Sequence, residues 1–303
     1  MRTIACVLVA TLLAACGSVP GTSAPPTTAA PPPPPPACDG TTSVPRITDL
    51  GADPRTLLRL HPAVATRKMT LTVDNNVATA TGGSSRASVT SVAIPITVTT
   101  AARTAAGTPI TIRYGRPLAS KKLPKAIRIP LQRALTTVTG LRLQGSLADT
   151  GALGHPVLTE PPATAASLRP VVDVMTEAIQ PLIVVYPPDP VGVGGRWEYT
   201  RCTRSRGVDT TVTTTVQLTA RSATGFDLTT TGSVIGSGGT DTTNGQAMRL
   251  DPSSGGSNGV WREQDGDALG VGTLSSNMWE HGRTSDGIDV TVTGRFHTTL
   301  TAR

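Results

Sequence analysis

The chain has 303 residues, enough for one large domain or two small ones, with 27 basic and 20 acidic side chains and a formal charge of +7. Charged residues are 16% of it, against roughly 25% in an ordinary soluble domain, and 31 glycines, 26 prolines and fifty threonines take up the difference. That mix excludes a long-helix or coiled-coil protein and favours strands, where Thr and Val pack well on a pleated, half-buried surface.

Arg2 supplies a positive start, and Ile4 to Leu13 form an apolar run too short to span a bilayer as a permanent helix. Leu13-Ala14-Ala15-Cys16 then resembles the lipobox of bacterial lipoproteins. The resemblance implies a signal peptide over residues 1–15 and acylation of Cys16 as the new N-terminus, palmitate among the acyl chains. Two or three buried chains, at about 0.8 kcal/mol per CH₂, make a stable anchor. The alternative is an ordinary cleaved signal peptide with Cys16 incidental.

Residues 16–45 read as a lipidated N-terminus and a tether. Ten of the 26 prolines lie between Pro20 and Pro45, and the run Pro31 to Pro36 forms a polyproline II rod of roughly 20 Å. Such a rod also suits aromatic grooves, but a spacer is the simpler reading. Once Cys6 leaves with the signal and Cys16 is acylated, Cys38 and Cys202 remain, and outside the cytoplasm two thiols most simply pair as a disulfide. The bridge would close a loop of about 164 residues and contribute roughly 5 kcal/mol in the chain-entropy model.

The folded region, residues 46–303, is expected to be a single α+β domain: a mostly antiparallel, curved sheet of meanders and hairpins with two amphipathic helices packed on it. Strand patterns cover Thr56 to His61, Lys68 to Val73, Val89 to Thr99 and Thr108 to Tyr114, with turns at Asp74-Asn75-Asn76 and Gly82-Gly83 and with Pro95 at an edge or strand start. The first helix is predicted over Lys125 to Val138, with Ile127, Leu131, Leu135 and Val138 on one face and Gly140 past its end. A hairpin over Leu141 to Leu147 and His155 to Thr159 turns at Asp149-Thr150-Gly151. The second helix, Ser167 to Gln180, places Leu168, Val172, Met175 and Ile179 on one face. Strands follow over Gly195 to Arg204, Val208 to Ala220 and Gly225 to Val234, then a flexible loop at Ser253 to Gly259. The chain closes with Asn277 to Arg283, a turn at Ser285-Asp286-Gly287 and a strand over Ile288 to Thr301.

Pro190-Val191-Gly192-Val193-Gly194-Gly195-Arg196-Trp197 resembles the P-V-x-V-G-x-x-W motif of an uncharacterised family of bacterial secreted proteins and lipoproteins, and the order of elements over residues 46–301 fits that family. The family has no established activity to carry over. Residues 46–186 and 187–303 each read as meander plus hairpin, which suggests a degenerate duplication. The arrangement is also similar in architecture to envelope lipid-carrier lipoproteins, whose curved sheet wraps helices around an apolar hollow.

No G-x-S-x-G, H-E-x-x-H, C-x-x-C or P-loop is present, and His61, His155, His281 and His297 are scattered singly. Asp265-Gly266-Asp267 falls short of a calcium shell, and Trp197 and Tyr199 share a strand face suited to core anchoring. Arginine outnumbers lysine 23 to 4 without a stripe that would follow a phosphate backbone. The reading is therefore no enzyme, no metal, no cofactor and no nucleic acid, with attraction to anionic envelope lipid or acidic polymer. The expected protein is an extracytoplasmic lipoprotein held at a bacterial membrane, binding an apolar or lipid-like ligand against Leu168, Val172, Met175 and Ile179. The competing function is a structural or protein-interaction module of the envelope, with a solid core and an envelope protein as partner; an envelope hydrolase ranks third.

Overall fold

A computed structural model describes residues 42–136, 139–159, 179, 182–205, 208–241 and 248–303. The signal segment, Cys16, Cys38 and the lining candidates Leu168, Val172 and Met175 lie outside the described residues.

Fifteen strands and one helix follow in chain order. They are β1 (Arg46–Asp49), β2 (Thr66–Thr81), β3 (Ser84–Thr100), β4 (Thr108–Tyr114), β5 (Leu118–Ala119), α1 (Lys125–Thr136), β6 (Arg142–Leu147), β7 (Leu153–Thr159) and β8 (Arg196–Ser205). Then come β9 (Val208–Ser222), β10 (Gly225–Gly236), β11 (Gly239–Asp241), β12 (Met248–Leu250), β13 (Ser253–Gln264), β14 (Val271–Thr284) and β15 (Asp289–Ala302). All belong to one sheet, in the order β1-β8-β9-β10-β13-β14-β15-β2-β3-β4-β6-β7, with β5 beside β3 and the β11–β12 pair beside β14. Among the described residues neighbouring strands pair antiparallel throughout.

This corrects the α+β expectation. The molecule is almost wholly antiparallel sheet, and α1 is its one helix among the described residues. Most of the second predicted helix, Ser167 to Gln180, lies outside those residues. Within α1, Leu131 and Leu135 are buried, but Ile127 of the predicted face is at the surface. Three other expectations change. Asp74-Asn75-Asn76 is the middle of β2, paired to β15 on one side and β3 on the other. The loop expected at Ser253 to Gly259 is the first half of β13. Thr56 to His61 is not a strand: Thr56 makes one isolated bridge, to Val191, while Leu58 and Leu60 are buried in a loop.

Pro95 shows how a long interior strand tolerates proline. Its carbonyl accepts from Gly115 N at 2.7 Å, so its missing N–H faces the same side of β3. There, β5 pairs at Val92 and Ala93 and β4 begins only at Ile96. Pro95 fills the gap between two short partners, where no ladder bond is lost.

Among the described residues the sheet does not close on itself: β7 and β8 lie at or next to opposite ends of the strand order. Chain around residues 183–188 joins them. Tyr186 N donates to Thr150 O in the β6–β7 turn at 2.7 Å, and Trp197 Nε1 of β8 donates to Val185 O at 2.7 Å. Arg59 reaches the carbonyls of Pro187 and Pro188 at 3.0 and 2.8 Å. The Pro190–Trp197 motif fastens the same corner. Gly192 N donates to Leu50 O, Ala52 N to Val193 O and Gly194 N to Leu218 O. A Cβ on Gly192 would meet Ala52 O at 1.6 Å, so only glycine fits that approach.

Candidate functional site

Residues directly opposite on neighbouring strands share a face, so the registers read across the sheet as rungs. One inward rung runs Leu218, Leu228, Trp261, Gly272, Leu300, Leu71 and Ile94. All but Gly272 are buried, and they belong to the main core with Leu131, Leu135, Ile179, Leu182, Ile183, Val184, Val185 and Tyr186. Glycine makes room here for an aromatic ring: a Cβ on Gly272 would meet Trp261 Cε3 at 2.7 Å. At the far end of the sheet Met248, Val290 and Val292 form a second, small buried cluster, with Val77 and Leu250 against it.

Between the two clusters lies a band of different character. Its upper rung is Tyr199, Thr214, Gly232, Ser257, Ser276, Phe296 and Asn75. Its lower rung is Arg201, Val212, Val234, Gly255, Met278, Gly294 and Val77. Val77, Val212, Val234, Met278 and Phe296 are each half-buried, unlike the sealed rungs above. Gly255 and Gly294 flank Met278, and the Phe296 ring lies over Gly294, where a Cβ would meet its Cε2 at 2.6 Å. At one side of the band, Asn75 Oδ1 and Thr79 Oγ1 are buried acceptors with no hydrogen-bond partner. Leaving such an atom unpaired costs about 1–3 kcal/mol. The band therefore combines half-buried apolar side chains, glycines closely approached by neighbouring strands and side chains, and two unused acceptors.

The ionisable groups of the interior hold structure. Glu263 is buried beside Gly270, hydrogen-bonds Tyr186, and burial raises its carboxyl to about 7. Burial likewise raises the Tyr186 hydroxyl, which packs edge-on against Phe226 at 5.5 Å. Asp267, of the Asp265-Gly266-Asp267 turn, forms an ion pair with Arg67, and burial raises its pKa despite that partner. Glu263 and Tyr186 are both buried, and the tyrosine keeps its proton.

Trp197 and Tyr199 are core anchors, as their shared face predicts. His281 Nδ1 lies 2.7 Å from Asp251 Oδ2 and His297 Nδ1 lies 2.9 Å from Ser275 Oγ, while His61 is exposed. The side chain of His155 lies outside the described residues. Among the described residues no group of three His, Cys, Asp or Glu side chains is placed to hold a metal. Of the predicted lining, Ile179 is described and lies fully buried in the main core. Cys202 is half-buried on β8, with Sγ 3.8 Å from Thr211 Oγ1. Its neighbour Arg201 bridges to Thr42, and Ser43 N donates to Thr200 O at 2.8 Å.

The band was missed in the sequence because Val212, Val234, Met278 and Val77 lie far apart in the chain, and only strand register aligns them. The one local signal was inward glycine at 232, 255 and 294 within otherwise regular strands.

No protein-family model matches the chain, and no curated protein matches it. Among solved structures it is similar to an outer membrane channel from Pseudomonas putida F1, at 9% identity and a TM-score of 0.20, over 80% of this chain and 97% of that one. A likeness that slight carries no argument about fold or function.

Proposed function

We propose that the protein is an extracytoplasmic lipoprotein of the bacterial envelope, anchored through Cys16, that binds an apolar, lipid-like ligand without catalysing a reaction on it. The observation that carries this reading is the half-buried band on the inner face. Val212, Val234, Met278 and Phe296 offer apolar contact, and the unpartnered Asn75 Oδ1 and Thr79 Oγ1 offer acceptors to a hydroxyl or amide on the ligand. Apolar walls with a few placed polar atoms are the usual make-up of a small-molecule site. Cys38 pairs with Cys202 in this account. Cys38 stands four residues before Thr42, within about 14 Å of extended chain, and Thr42 bridges the neighbour of Cys202.

The test is binding of a fluorescent fatty-acyl probe to the purified full chain. Wild type should bind, and Val234→Glu, which sets a charge in the band, should abolish binding while leaving the melting transition in place. A wild-type protein that never takes up the probe would reject the reading.

A structural or protein-interaction module is the second reading, and the full burial of Ile179 in the main core favours it. On that reading the probe does not bind and Val234→Glu changes only stability.

A further inference from the structure

Seven arginines and three lysines stand between Asp74 and Asp149, with no acid among them. The rest of the chain carries three more acids than bases, so the whole basic excess belongs to this stretch. The fold gathers much of it at one corner, along and around α1. Arg113 on β4 sits directly opposite Arg142 on β6, at the strand ends nearest α1. Gly140 N, just past α1, donates to Tyr114 O, and Gln132 of α1 holds Pro117 and Ala119 by hydrogen bonds of 2.9 Å. Arg113 and Arg142 thus lie by the C-terminal end of α1, Arg116 adjoins Pro117 at Gln132, and Lys121, Lys122 and Lys125 stand at the N-terminal end, where Arg128 Nη1 returns to Lys121 O at 3.4 Å. Among the described residues none of these side chains forms an ion pair.

Two features of the corner work against folding. Like charges directly opposite on neighbouring strands repel, and Arg113 faces Arg142. Cations at a helix N-terminus oppose the macrodipole, yet Lys125 opens α1, Lys121 and Lys122 precede it, and its first turn holds no acid. Amid these charges Leu118 and Ile129 are 50% and 45% exposed. Unpaired cations around exposed aliphatic side chains, kept at a cost to stability, fit a planar anionic surface with an apolar layer beneath it.

We propose that the surface along α1, from Lys121 at its start past β5 to the β4 and β6 ends, docks on anionic phospholipid, with Lys121, Lys122, Lys125, Arg113 and Arg142 against the headgroups and Ile129 and Leu118 entering the interface. This surface is separate from the inner band, and it stands or falls independently of ligand binding there.

The test is vesicle co-sedimentation of the full mature chain carrying Cys16→Ala, so that no acyl anchor contributes. The vesicles are phosphatidylcholine with or without phosphatidylglycerol. The chain should sediment only with phosphatidylglycerol present, and less as salt rises. Lys121→Glu/Lys122→Glu/Lys125→Glu should weaken binding about a hundredfold, while the reversals Arg221→Glu/Arg249→Glu/Arg295→Glu, at exposed positions elsewhere, leave most of it. A second variant, Arg113→Gln/Arg142→Gln, should also bind more weakly while melting no lower than the parent, because it relieves a repulsion. Equal losses from the corner and control reversals, or no sedimentation of the parent chain with phosphatidylglycerol, would overturn the proposal. So would binding to soluble polyglutamate without binding to vesicles, which would assign the corner to an acidic polymer.

Discussion

Trp197 and Tyr199, two residues apart on the inward face of β8, hold the backbone of one residue, Val185. The Trp197 indole donates to the Val185 carbonyl at 2.7 Å, and the Val185 backbone also hydrogen-bonds the Tyr199 hydroxyl. Among the described residues the sheet is left open between β7 and β8, and this clamp is part of what holds residues 183–186 across the gap. Trp197→Phe keeps an aromatic ring but leaves a buried carbonyl unpaired, so it should cost about 1–3 kcal/mol. Denaturant unfolding measures that cost, and no change would mean that the clamp contributes nothing to closure.

Glu263 gives the fold a pH dependence of definite sign. Burial raises its carboxyl from 4.5 to about 7, so the neutral acid is the form the fold prefers. Its stabilising effect is complete below pH 4.5, declines as the unfolded chain ionises, and levels off above about pH 7. The range amounts to about 3 kcal/mol. Asp267, also raised, acts in the same direction. Glu263→Gln should flatten most of the fall in melting temperature between pH 4.5 and 7, and an unaltered profile would contradict this assignment.

Local sequence showed most strand positions, the Gly82-Gly83 turn, the Asp149-Thr150-Gly151 turn and α1, because alternation and turn residues are local signals. It misread Asp74-Asn75-Asn76, whose turn propensity is overridden by pairing with β15 and β3. It misread Ser253 to Gly259 for the same reason: Gly and Ser suggest a loop when β10 and β14 on either side are not in view. The pair β15–β2, in the middle of the strand order, joins Ala302 to Met69, a contact that no local pattern encodes. Core anchors such as Trp197 were legible from face alternation. The inner band was not, because it is a property of register across seven strands.

Asn75 separates a ligand role from a structural one. Its side-chain oxygen is buried without a partner, so Asn75→Leu removes an unsatisfied acceptor while the strand pairing is kept. Stability should hold or rise by about 1 kcal/mol, and fatty-acyl probe affinity should fall. A loss of stability with unchanged affinity would show that Asn75 serves the fold alone.

The pairing of Cys38 with Cys202 should appear as one cross-linked peptide in a non-reduced digest of the mature protein. Quantitative labelling of both thiols under native oxidising conditions would reject it.

The central claim is that an apolar ligand occupies the inner band, and native mass spectrometry of the protein purified from its own envelope tests it most directly. The account predicts a lipid-sized mass increment that is present under native conditions and lost on denaturation, which distinguishes it from covalent acylation at Cys16. The increment should be missing from Val234→Glu. A wild-type protein that flies at its covalent mass alone, or a Val234→Glu protein that keeps the increment, would contradict it.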